Sequence, residues 1–67
     1  MYIKLKMKLV EKNISLEAAA NVIGVHRNTF SAKIQGKTKF TIDELLKIRD
    51  TFFPDVTLDE LAEKHSA

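Results

Sequence analysis

Cysteine is missing from this 67-residue chain, and proline and glycine are scarce, with one and two copies. Without cysteine there is no disulfide framework and no thiolate ligand for zinc, so stability has to come from packing or from a partner subunit. Long apolar runs are missing as well. The opening MYIKLKMKLV is interrupted by Lys4, Lys6 and Lys8, which leaves no signal-peptide core, and nothing later approaches the ~20 residues of a membrane span. These absences lead us to expect a soluble cytoplasmic protein with no membrane partner. Repeats, low-complexity tracts and a glycine-rich phosphate loop are also lacking, and a chain of this length has little room to enclose a pocket. An enzyme is therefore not expected, and no catalytic residue, cofactor or metal is assigned.

One further absence is local. From Ala18 to Ile42 the chain holds no acid, yet that segment carries Arg27, Lys33, Lys37 and Lys39. Net charge is only +2, but residues 1–40 hold eight Lys or Arg against two acids, a net of +6, while residues 41–67 hold three against seven, a net of −4. A lopsided distribution of this kind fits either a polyanionic partner or a solvated basic face.

The length sets one domain, 1–67, because a second core could not be built. Asn13, Gly24, Gly36 and Pro54 divide it into helix-sized pieces. The first piece alternates Ile3, Leu5, Met7 and Leu9 with lysines, as a strand would, but no second alternating run exists to pair with it. Read as a helix, it places Ile3, Met7, Val10 and Ile14 on one stripe, Leu5 and Leu9 on a neighbouring side, and Lys4, Lys8 and Lys12 in water. Ser15 is a good N-cap for a second helix, whose apolar set is Leu16, Ala19, Ala20 and Ile23, and Gly24 ends it. A third helix from about Arg27 to Gln35 buries Phe30 and Ile34 and stops at Gly36. Thr41-Ile-Asp-Glu44 and Thr57-Leu-Asp-Glu60 read as capping boxes that start a fourth and a fifth helix. The fourth offers Ile42, Leu45, Leu46, Ile48 and Phe52 to the core, and Pro54 prevents its continuation.

Helix two, the turn at Gly24-Val25 and helix three have the form of a helix-turn-helix, with Ala20 small enough for a close crossing and a glycine at the turn. On the stretches KLVEKNIS (Lys8–Ser15), IGVHRNTFSAKIQGK (Ile23–Lys37) and FTIDELLKI (Phe40–Ile48), the chain resembles the phage-repressor type of helix-turn-helix domain, the Cro and repressor family. It is most similar to small phage Cro-like regulators whose third helix reads S-x-x-T-F-x-x-K-I-x-G-K followed by F-T. The similarity runs from about Leu5 to Leu61. It implies an all-α, five-helix lambda-repressor-like DNA-binding domain whose third helix enters the major groove of a double-stranded operator, with two copies on DNA, in a bacterial host. It implies further a transcriptional regulator in the genetic switch of a temperate phage or related mobile element. Two positions depart from the pattern: Leu16 stands where many relatives have Gln, and His26 where a Ser or Thr usually caps helix three.

If Phe30 and Ile34 point inward, the helical repeat puts Asn28, Ser31, Ala32 and Gln35 outward, with Arg27 and Thr29 towards the sides. Asn pairs with adenine, Arg with guanine, and small methyl-bearing side chains meet thymine methyls, so Arg27, Asn28, Thr29, Ser31 and Ala32 are the expected base contacts. Lys33, Gln35, Lys37, Thr38 and Lys39, at the end of the helix and in the following loop, are the expected phosphate contacts. His26 and His65 stand alone, without a second ligand at metal-binding spacing. The competing reading is an antirepressor that binds the cognate phage repressor. Modest charge, Leu16, and a first helix apolar on more than one side support it, with Tyr2, Leu5 and Leu9 as the possible protein interface.

Overall fold

Five helices account for the architecture of residues 2–62, the part described by a computed structural model: α1 (Ile3–Glu11), α2 (Leu16–Val22), α3 (Arg27–Gln35), α4 (Ile42–Phe52) and α5 (Leu58–Ala62). No strand occurs among the described residues, so the chain is all-α there. α2 packs on α3 and α4, α1 on α3 and α5, and α4 on α5.

Three of the helix ends share one device. At Asn13, Gly24 and Gly36 the backbone turns left-handed, with φ of 57°, 71° and 84°. Beyond each, an amide reaches back over the last turn: Ile14 N–H to the Leu9 carbonyl (2.9 Å), Val25 to Ala20 (3.1 Å) and Lys37 to Ala32 (3.0 Å). These are Schellman closures, which satisfy carbonyls that a helix end otherwise leaves open. Helix starts are fixed equally locally. Ser15 accepts the Ala18 amide at 3.0 Å. Thr41 and Glu44 form a complete capping box, the Thr41 amide donating to the Glu44 carboxylate at 2.9 Å and the Glu44 amide to the Thr41 hydroxyl at 3.1 Å. At α5 only the hydroxyl half of the expected box is made, Thr57 accepting from Glu60 N–H at 3.2 Å, while the Glu60 carboxylate lies 3.8 Å from Lys8 Nζ.

The core holds Ala19, Ala20, Phe30, Ile34, Leu45 and Ile48, as the apolar spacing predicts, and also Phe40, Phe53 and Leu61. Phe40 is a loop residue. Its ring stands edge-on to Tyr2 (centroids 5.0 Å apart) and Phe30 (5.5 Å), a favoured aromatic geometry.

The first helix corrects two expectations. Tyr2, Leu5 and Leu9 are not an exposed protein interface but core residues, 4%, 0% and 2% exposed, whereas Met7 and Val10 are 55% and 67% exposed. α1 carries two apolar stripes on neighbouring sides, and a domain this small covers only one. Tyr2 decides which, because its ring interlocks with Phe40 and its amide donates to the Ile34 carbonyl at 2.9 Å. Ile42, expected in the core, is 59% exposed at the start of α4; the inward stripe of that helix is set by Leu45 and Ile48.

Candidate nucleic-acid interface

The acid-free segment folds into the second half of α2, the turn, α3 and the loop that follows it. The Ala19–Ala20 pair, buried in α2, leaves room for Phe30 of α3, which is wholly buried. Gly24 makes the turn. His26, standing where a Ser or Thr was expected, performs the same service through its ring: Nδ1 accepts the Asn28 amide at 3.1 Å. Leu16 is half-buried against the core, so its side chain is a packing group at the start of α2.

With Phe30 and Ile34 inward, Arg27, Asn28, Thr29 and Gln35 are exposed, and Ser31 and Ala32 half-buried. The face between them is shallow and polar. Ser31 accepts a hydrogen bond from Gln35 Nε2 at 3.2 Å, so one helical turn links these two side chains. Lys37, Thr38 and Lys39 are exposed in the loop beyond Gly36. At the other end of α3 a groove is lined by Glu17, Asn21, Val25, His26 and Arg27. Asn21 is thus an exposed polar group bordering the α3 face, beside His26, that sequence spacing did not single out; it lies one turn beyond Glu17 on α2.

Lys33 requires a correction. It was expected at a phosphate, but its ammonium is turned inward and spoken for: it donates to the Lys39 carbonyl at 2.9 Å and to the Glu44 carboxylate at 3.2 Å, and lies 5.8 Å from the centre of the Phe40 ring. Its side chain is only 13% exposed and that of Glu44 18%. Lys33 is therefore a clamp that ties the end of α3 to the loop and to the capping box of α4. Burial works to raise the Glu44 carboxyl, and is outweighed by the Thr41 amide, the hydrogen bond and charge of Lys33, and the Thr41 hydroxyl; the carboxyl lies below its ordinary value.

The loop is consequently held at four points: the left-handed Gly36, the Lys33 bond to Lys39, the buried Phe40 ring and the Thr41–Glu44 box. What it presents outward is Lys37, Thr38 and Lys39 on a fixed backbone, next to the polar side of α3. Cationic groups on a backbone held in this way can meet an anion at little cost in ordering. Among the described residues no group of three or more His, Asp or Glu is placed to hold a metal ion, and no helix is long and apolar enough to cross a membrane. His65 lies outside the described residues. Comparison of the chain with protein families, with curated proteins and with solved structures finds no match in any of the three.

Proposed function

We propose that the chain is a sequence-specific DNA-binding regulator of transcription, working in the cytoplasm as a Cro-like component of a phage-type genetic switch. α2 and α3 then act as a helix-turn-helix with α3 in the major groove. The observation that carries this reading is the exposed, acid-free side of α3 joined to a basic loop whose backbone is pinned to the core. Groove insertion needs a helix face without bulky apolar groups, and Arg27, Asn28 and Thr29, with the smaller Ser31 and Ala32 set lower, meet that need. Lys37, Thr38, Lys39 and Gln35 would set register on the phosphates, and the Lys33 clamp would hold them at the right height.

The antirepressor alternative drew its anchors from Tyr2, Leu5 and Leu9, and those side chains are spent on the core. The test is selection of bound sequences from a pool of random double-stranded DNA, followed by titration of the selected and unselected duplexes at several salt concentrations. A selected duplex should bind about 10³-fold or more tighter than random DNA, with affinity falling steeply as salt rises. Failure to enrich any sequence, together with binding that salt leaves unchanged, would remove the proposal.

A further inference from the structure

The outer side of α1 takes part in neither the core nor the α3 surface. Ile3, Met7 and Val10 follow one another at steps of four and three residues, and with Lys6 and Glu11 they line a shallow groove. Met7 and Val10 are more than half exposed, while another side of the same helix is already buried through Leu5 and Leu9. Steps of four and three are the spacing of the seam between two packed helices.

The charges beside this seam are asymmetric. With 3.6 residues per turn, Lys6 lies about 60° to one side of Ile3 and Glu11 about 80° to the other, so they flank the stripe on opposite edges. They are five residues apart, the offset at which flanking residues of two parallel paired helices meet across the seam. In a parallel pair related by a twofold axis, opposite flanks face each other, and Lys6 of each copy meets Glu11 of the other, twice over. An antiparallel pair brings like flanks together and sets Lys6 beside Lys6, while the two Glu11 residues lie at opposite ends of the seam. Neither residue makes an ion pair with another described residue. The stripe is thus complementary to itself in the parallel orientation.

We propose that the outer face of α1 is a pairing surface for a second copy of this chain, with the two α1 helices parallel and Lys6 of each opposite Glu11 of the other. The face shares no residue with the polar side of α3, so a pair leaves both copies of that surface open. The seam is short. A nine-residue helix is about 14 Å long, and three apolar residues per copy bury far less than the roughly 1,200 Å² of a standard stable interface. The pair is therefore weak in free solution, with dissociation in the high-micromolar to millimolar range. This deepens the two-copies-on-DNA part of the function proposed above, but it is tested without DNA, so its failure would leave DNA binding untouched.

The experiment is sedimentation equilibrium of the whole chain up to about 1 mM, where a pair of millimolar dissociation constant is substantially formed. Val10→Asp, Lys6→Glu and the double reversal Lys6→Glu with Glu11→Lys are run beside it. All three positions are solvent-exposed, and thermal melts check that each variant is folded. Wild type should dimerise with rising concentration, Val10→Asp should stay monomeric, Lys6→Glu should weaken pairing several-fold, and the double reversal should restore it. Because the chain has no cysteine, Met7→Cys adds an orientation test: parallel helices set residue 7 against its own counterpart, and mild oxidation should give a linked dimer, while Lys47→Cys, on α4, should not. A wild type that is monomeric throughout overturns the proposal. So does a dimer indifferent to Lys6→Glu, or one in which Met7→Cys fails to link.

Discussion

A side chain's partners, more than its type, decide what it can do at the α3 surface. Lys33, Lys37 and Lys39 look alike in sequence, yet the first is a clamp and the other two are exposed. The clamp has a pH signature. The Glu44 carboxyl is held below its ordinary value in the folded chain and returns to it in the unfolded one, so between the two the unfolded state binds more protons and stability rises with pH. The contribution is complete above the unfolded value and disappears as pH falls through the folded one. Urea titrations between about pH 3 and 6 should show wild type losing stability on acidification more steeply than Glu44→Gln, in which this titration is deleted; equal slopes would count against the clamp. Asn28 is the opposite case, an exposed side chain whose backbone amide donates to His26. Asn28→Ala should cost on the order of 1–3 kcal/mol on a selected DNA duplex and little on random DNA, with unchanged helical content by circular dichroism. Equal weakening on both would make Asn28 a positioning residue.

Helix boundaries were legible in the sequence because their causes are local. Asn13, Gly24 and Gly36 mark ends, and Ser15 and Thr41 mark starts, each through bonds to amides or carbonyls within five residues. The side of α1 facing the core was not legible, since Tyr2, Leu5 and Leu9 on one stripe and Ile3, Met7 and Val10 on the other are equally apolar. The choice rests on Phe40, a distant loop residue, meeting the Tyr2 ring. The Lys33 clamp was hidden for the same reason, its partners being a carbonyl six residues on and a carboxylate eleven residues on. Local causes also give cheap tests. Asn13 holds φ 57° with a side chain that disfavours it, so Asn13→Gly should raise stability by up to about 1 kcal/mol. At Gly24 an added Cβ meets nothing within 4 Å, so Gly24→Ala should cost about 1 kcal/mol from the φ of 71° alone. Thermal melts of the two variants should shift in opposite directions; a shift of the same sign in both would mean that the closures do not set these helix ends.

At the scale of the whole molecule, the small net charge conceals a division of labour. Three lysines of the basic half are turned to internal work. Lys8 lies 3.8 Å from the Glu60 carboxylate, Lys12 donates to the Phe52 carbonyl at 2.7 Å and sits 5.3 Å from the Phe53 ring, and Lys33 holds the loop. Two of them reach acids of α4 and α5, Lys33 to Glu44 and Lys8 to Glu60, so part of the charge separation is used in holding the domain together. Arg27, Lys37 and Lys39 are left exposed along one surface. Counterion release gives that division a measurable form, because each cation placed at a phosphate adds about one unit to the log–log slope of affinity against salt. Lys37→Ala and Lys39→Ala should each lower the slope by about one on any duplex while leaving sequence preference intact. Lys12→Ala should leave the slope alone and lower only the melting temperature. Lys33→Met should weaken binding by loosening the loop, with affinity falling at every salt concentration by a similar factor and the slope unchanged. If Lys33→Met instead removed a full unit of slope, its ammonium would have to leave Glu44 for a phosphate on binding, and the clamp would be a property of the free protein alone.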